Sequence, residues 1–235
     1  MNKKTKYQLL LIALVIIVIF NVAVLLTANN NSHNVYNATI VGSNANGTVY
    51  KIIAGDESSN ETVGIILGVH PREHEIHEAI NRTIYNITSE GGSQNLTKRY
   101  VIYYVIVNDN LTSREDTRAA GEELSEKFIV PNIAKDNPFI VVDVHEIDPV
   151  YEYSNFLFSL SNRTAKINEY INIIANGVGI VDFNFTEGTS PEKVTMPIAE
   201  KGIPTILVET SITDSLSEKQ QTAYKLIKTL DNLSP

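Results

Sequence analysis

Cysteine is missing altogether from the 235 residues. A disulfide framework and a thiolate metal site are both excluded, so any metal must be held by histidine and carboxylate. The chain also lacks a basic cluster beyond its first few residues, and its formal net charge is −8. Those two features argue against nucleic acid as a partner. Internal repeats are absent. Histidine is scarce, with five in the chain, and apart from His33 and the segment 70–77 only His145 remains.

Charge is absent in one further place. Lys3, Lys4 and Lys6 precede an uncharged stretch from Tyr7 to Asn31, dense in Leu, Ile and Val. It is long enough to cross a bilayer as a helix, which takes about 20 residues. A cleaved signal peptide has a shorter apolar core and a small-residue exit, whereas Leu25-Leu26-Thr27-Ala28 carries the large Leu26. The expectation is an uncleaved signal anchor over residues 1–30. The lysines stay cytoplasmic and the C-terminal bulk is extracellular, at the cell membrane. Residues 31–47, rich in Asn and Ser, read as a polar tether. N-x-S/T sequons open at Asn30, Asn37, Asn46, Asn60, Asn81, Asn86, Asn95, Asn110, Asn162, Asn184 and Asn232. These acceptors suit an outward-facing glycoprotein.

Residues 48–235 fit one domain by length and can bury a real core. Strand patterns cover 48–54, 62–69, 100–107, 139–144, 154–160 and 205–209. Helical patterns cover 73–87, 113–128, 164–175 (with Gly177 near its end) and 216–230. Strands alternating with helices predict an α/β domain with a mostly parallel sheet and helices on both faces. Ligands in such sheets sit outside the carboxyl ends of the strands. Three predicted strands end at reactive residues: Val69 at His70, Val144 at His145, and Val208 at Glu209.

His70-Pro71-Arg72-Glu73 places an imidazole on a strand-to-helix turn and a carboxylate in the first helical turn. Pro71 biases His70 away from helical geometry and suits the first helical position. Imidazole and carboxylate are both zinc ligands, and three protein ligands leave a position open for water. His145 supplies the third. Asp143 shares its strand face and is placed to fix the imidazole tautomer. A lone strand-end histidine is commonly just a solvated residue, and an acid in a first turn often only complements the helix dipole; the paired spacing plus His145 favours metal. His70–His74 also fits H-x-x-E-H, in which both histidines bind zinc from one helix and Glu73 is the base, but Pro71 and the apolar run before His70 oppose a helix through that point. His74 and His77 then fall on the helix face near the pocket rim. Glu209 follows a buried run, and burial raises a carboxylate pKa toward that of a general base; capping the next turn is the plainer reading.

HPRE at 70–73, DVH at 143–145 and GIPTILVE at 202–209, in this order, resemble the zinc carboxypeptidase superfamily, and most of all its succinylglutamate desuccinylase/aspartoacylase-like branch. The resemblance spans most of residues 60–212. It implies a three-layer α/β/α sandwich (phosphorylase/hydrolase-like) and one Zn2+. His70, Glu73 and His145 would bind the metal. Glu209 would be the base that helps a zinc-bound water attack an amide carbonyl, with an Arg or the metal steadying the oxyanion. Peptides or acyl-amino compounds are the implied substrates.

The family's D-L-N-R-x-F, whose Asn-Arg pair holds a substrate carboxylate, corresponds here to Glu123–Phe128, with Ser125-Glu126 in place of the pair. A glutamate there would repel a carboxylate. Arg72 and Arg114 then become catalytic candidates and Arg118 a substrate-binding one, each set against an ordinary surface charge. The proton-donating tyrosine of carboxypeptidases has no clear counterpart; Tyr151 and Tyr153 are nearby. The leading expectation is a membrane-anchored extracellular zinc amide or peptide hydrolase. The alternatives are a non-catalytic relative that binds a ligand or cell-surface polymer, and an adhesive surface glycoprotein with incidental histidines.

Overall fold

The computed structural model describes residues 34–89, 95–160, 163–185 and 191–235. The expected anchor over 1–30 lies outside the described residues. Among the described residues no helix is long and apolar enough to cross a membrane.

Eight strands form one mixed sheet: β1 (Asn34–Asn44), β2 (Gly47–Asp56), β3 (Thr62–Leu67), β4 (Arg99–Val107), β5 (Ile140–Ile147), β6 (Phe156–Ser159), β7 (Val181–Asp182) and β8 (Thr205–Ser211). Their order is β1-β2-β4-β3-β5-β8-β6-β7. The four central strands β4, β3, β5 and β8 are mutually parallel. β1 and β2 add antiparallel on one side, and β6 runs antiparallel to β8 on the other. The centre is parallel because these strands are apolar on both faces and are separated by helices; β3 and β5 are buried at every position.

Helices α1 (His74–Thr88), α3 (Ala165–Val178) and α4 (Leu216–Asp231) cover one face, sharing a core with Ile65, Leu67, Val142 and Val144. Helix α2 (Arg114–Phe128) covers the other, packing Ala120 and Leu124 with Ile66, Val69 and Val141. The result is the expected α/β/α sandwich. Helix starts are encoded locally: Ser113 caps α2, Thr164 caps α3, and Ser215 with Glu218 forms a capping box at α4.

Four differences from the sequence reading have physical causes. The predicted tether is, from Asn34 onward, the edge strand β1 and its turn into β2. Its ladder needs only backbone, and an edge strand facing water carries Asn and Thr where alternation would otherwise be read. Its start is fixed by Asn34, whose side chain donates to Leu96 O and accepts from Leu96 N. The strand pattern at 139–144 extends to Ile147, so His145 lies inside β5, and likewise Glu209 lies inside β8. Gly177 sits within α3, which ends at Gly179 in the left-handed region, φ 88°. His77 is buried, 1% exposed, not at a rim.

Candidate metal centre

β3 delivers its chain end through Gly68, whose φ of 81° only glycine adopts freely and whose added Cβ would lie 2.2 Å from Val105 O. His70 follows in extended geometry, and Pro71–Glu73 form a single 3-10 turn before α1. Across the sheet edge, α2 approaches this turn through Gly121, where a Cβ would stand 2.0 Å from Val69 O. That close approach sets the next residue, Glu122, against His70, Oε1 to Nε2 3.3 Å.

His70, Glu73 and His145 are all buried, and each offers a ligand atom within 4.8 Å of the others. Glu73 spans the two imidazoles, with Oε1 2.9 Å from His70 Nδ1 and Oε2 2.9 Å from His145 Nδ1. The two Nδ1 atoms lie 3.1 Å apart. Each ring's other nitrogen faces a carboxylate: His145 Nε2 meets Asp143 Oδ1 at 3.0 Å, and His70 Nε2 meets Glu122. A carboxylate selects the tautomer that donates to it. With the proton on Nε2 of each ring, both Nδ1 lone pairs converge, together with Glu73, on one point; a proton held on Nδ1 instead is donated to Glu73. Lone pairs and a carboxylate so placed repel unless a proton or a cation lies between them. Asp143 is fixed in turn by the Thr195 hydroxyl, which donates to Oδ2 at 2.8 Å. This chain of contacts suits a divalent metal with oriented imidazoles.

The local field points the same way. Burial opposes charge on His145, yet Asp143 and Glu73 overcome it and hold its imidazole well above the usual range. Burial also resists ionisation of Glu73, but hydrogen bonds from His145 and His70 keep its carboxyl well below the usual range. A positive charge is therefore favoured where the three meet. His77, whose ring Nε2 donates to Val144 O at 2.8 Å, is instead kept neutral, pushed down to about 4 by burial.

Glu209 is the cross-strand neighbour of His145 on one side and of Phe156 on the other. Burial pushes its carboxyl up to about 8, and its Oε2 finds no hydrogen-bond partner among the described residues. It lines the same cleft as His70, Glu73 and His145. An unpartnered, hard-to-ionise carboxylate beside a metal-type cluster is suited to taking up a proton.

Arg114 and Arg118 project from α2 into this cleft. Arg118 Nε lies 3.2 Å from Glu122 and its Nη1 3.8 Å from Glu73. Arg72 is exposed, lines the cleft beside Arg114, and donates from Nη2 to Thr112 O. Ser125 and Glu126 lie elsewhere: Ser125 is fully buried with its hydroxyl bonded to Gly121 O, and Glu126 is exposed on α2. Glu146 and Asp148 also line the cleft, and one side of it is apolar. Ile147, Phe158, Phe185 and Leu207 line that side, and an aromatic cluster backs it, with Phe156 5.3 Å from both Phe183 and Phe185. Tyr151 lines the mouth, whereas Tyr153 packs on Phe183.

Sequence reasoning missed Glu122, Glu146, Thr195 and Lys219. Glu146 directly follows His145, and Glu122 stands four residues after Arg118, so both carried a faint signal. Thr195 and Lys219 carried none, since neither belongs to a motif or stands at helical spacing from a named site residue.

No family model and no curated protein matches the sequence. Solved structures do. A metallo-carboxypeptidase from Pseudomonas aeruginosa, solved in complex with (2-guanidinoethylmercapto)succinic acid, superposes with TM-score 0.61 at 12% identity, over 82% of this chain and 62% of that one. The chain shares the fold of this metallo-carboxypeptidase. A metallo-carboxypeptidase from Burkholderia cenocepacia gives 0.53 at 12% identity, over 83% of this chain and 63% of that one. The succinylglutamate desuccinylase from Vibrio parahaemolyticus gives 0.51 at 14% identity, over 86% and 79%. These neighbours match the superfamily and branch that the ordered motifs resemble. The chain spans under two thirds of the length of the first two neighbours.

Proposed function

We propose that this chain is a zinc-dependent amide or peptide hydrolase whose substrate is a peptide or acyl-amino compound. The observation that carries the reading is the convergence of His70 Nδ1, His145 Nδ1 and Glu73 on one point, in a cleft that also holds the unpartnered Glu209.

His70, Glu73 and His145 are the proposed ligands. All are nitrogen or oxygen donors, as zinc prefers when no thiolate is present. Bound zinc would supply Lewis acidity to the scissile carbonyl and lower the pKa of water. Asp143, and Glu122 with it, hold the imidazoles in the tautomers that present Nδ1. Glu209 takes the proton from the attacking water and passes it to the leaving nitrogen. Arg114 and Arg72 stand at the rim, where they stabilise developing negative charge or orient an anionic group; Arg118, already braced by Glu122, binds the substrate more firmly placed. The apolar wall of Phe158, Leu207 and Phe185 takes an uncharged side chain next to the reacting bond.

The purely binding alternative drew on Ser125-Glu126 replacing an Asn-Arg pair. Since neither residue reaches the cleft and two arginines of the same helix do, that reason loses its force. Placement at the outer face of the membrane, through an anchor in residues 1–30 and with glycosylated sequons, is part of the proposal and rests on the sequence pattern.

The test is elemental analysis and turnover of the purified full chain. One zinc per chain and hydrolysis of peptide or N-acyl amino acid substrates, both lost in His145→Ala, are expected. Absence of stoichiometric metal after zinc loading sinks the reading.

A further inference from the structure

A lysine of α4 is buried against Glu146, the residue that follows His145. Lys219, in the first turns of α4, is 1% exposed. Its Nζ lies 2.7 Å from Glu146 Oε1, 2.5 Å from Glu75 Oε2 and 3.0 Å from Ile212 O. Glu146 is itself buried, and it makes two further contacts that matter. Its backbone N donates to Glu73 Oε2 at 3.2 Å, and its Oε1 accepts from Ile76 N at 3.2 Å.

Those contacts have one geometric effect. Helix α1 starts immediately after Glu73, and Glu73 provides no side-chain cap. The free amide of Ile76 is satisfied instead by Glu146, which reaches across from β5. Glu146 thus ties the start of α1 to β5 twice: its side chain holds Ile76 N, and its backbone N holds the Glu73 carboxylate. Lys219 neutralises Glu146 and holds it, while also gripping Glu75 in the first turn of α1.

Burying an ammonium and a carboxylate is costly, and exchanging such a pair for apolar groups is often neutral or stabilising. Stability alone is therefore a poor reason for the pair. Register between two ligand-bearing elements is a better one.

We infer that Lys219 is a positioning residue for the metal centre: acting through Glu146, it sets the Glu73 carboxylate relative to His145. The inference rests on the metal reading above and adds a residue that touches neither metal nor substrate. The pair Lys98–Glu61 provides a contrast. Lys98 is also buried, at 5% exposure, but it precedes β4 at the opposite end of the parallel strands.

The experiment measures zinc affinity of the full chain by competition with a chromophoric chelator, well below the thermal midpoint of each variant. Lys219→Met is expected to weaken zinc binding by roughly 10–100-fold, the usual consequence of removing an outer contact of a metal site. Lys98→Met is expected to lower the thermal midpoint with unchanged zinc affinity. Lys219→Arg, which keeps the charge, should recover part of the loss. If Lys219→Met does not fold because Glu146 is stranded, the neutral pair Lys219→Met with Glu146→Gln replaces it, and weaker zinc binding is again expected. Wild-type affinity in whichever of these folds overturns the inference while leaving the metal centre intact. Failure of the unmodified chain to bind zinc overturns both, and that outcome is separate because it appears before any substitution is made.

Discussion

His145 and Glu209 are paired in register across the parallel strands β5 and β8, so their side chains rise from the same face of the sheet. One rung of the ladder therefore carries both the proposed metal ligand and the proposed base. The geometry between them is set by backbone hydrogen bonds, which are stiffer than any loop. On the far side of Glu209 the same rung continues to Phe156 of β6, so the acid stands at the seam between a polar cluster and an aromatic wall. Burial is the main cause of its raised pKa; His145 and Arg118 oppose the rise, and the negative charges of Glu73 and Asp143 add to it.

Glu209→Gln keeps the shape of the side chain and removes its ability to accept a proton. Turnover is expected to fall by about 10²–10⁴, the typical worth of a general base, with zinc content unchanged. Parallel measurement of initial rates and bound metal checks this. A variant that turns over normally rules out Glu209 as the base.

The same substitution has a pH-dependent effect on stability. Glu209 ionises near the ordinary value of 4.5 in the unfolded chain and near 8 in the folded one. Between those values the folded protein binds the extra proton, so stability declines as pH rises from about 4.5 toward 8. In chelator-treated protein, Glu209→Gln should raise unfolding free energy by about 1–3 kcal/mol at pH 8.5, in line with an unpartnered buried group. The gain should vanish near pH 4. Urea titrations at several pH values give the comparison, and a gain independent of pH excludes this cause.

Asp143→Asn retains the size of the group behind His145 but removes its charge, and Asn can present its NH₂ to the imidazole and reverse the tautomer. Zinc affinity should drop by roughly 10–100-fold. Glu73→Gln, which alters a proposed ligand directly, should lose more. Equal zinc affinity in Asp143→Asn and the unmodified protein would show that Asp143 does not act on the site.

The apolar wall predicts substrate choice. Among N-acyl amino acids, one with a phenylalanine side chain should be turned over faster than one with aspartate or lysine. Phe158→Ala should reduce kcat/KM for the aromatic substrate by ~10-fold or more, as expected for losing part of a buried aromatic contact, which is worth about 1.5–3 kcal/mol. A preference for the acidic substrate would refute the assignment of this wall.

Gly121→Ala tests the approach of α2 to the ligand-bearing turn. The new methyl group would meet Val69 O at 2.0 Å, a backbone atom with little room to yield. A destabilisation of about 1–3 kcal/mol is expected from overpacking, with weakened zinc binding because the shift falls one residue before Glu122. Thermal melts and zinc titration read the two effects separately.

Much of the fold could be read from the chain because its signals are local. The apolar runs of β3, β5 and β8, the β-branched and aromatic run of β4, and the caps at Ser113, Thr164 and Ser215 each act within a few residues. β1 escaped reading because an edge strand needs no hydrophobic alternation, and β7, two residues long, offers too little pattern. At the site, the order His70–Glu73, then Asp143–His145, then Glu209 was legible because each group stands at or near the end of an apolar strand.

The sequence by itself determined the donor set: with no cysteine and few histidines, only His and carboxylate could hold a metal, and Pro71 fixed where strand gives way to helix. The tertiary structure alone decided the second layer. Thr195 and Lys219 come from the turn Pro191–Thr195 and from α4, and no short-range pattern ties them to the motifs they support; Glu122 of α2 had only its spacing from Arg118. It also decided that Ser125 and Glu126 face away from the cleft while Arg114 and Arg118 enter it, since the facing of a helix depends on which side packs on the sheet. The physical reason is range: secondary structure and ligand type are set by neighbours in the chain, whereas burial, pKa and contact between distant side chains exist only once the layers have packed.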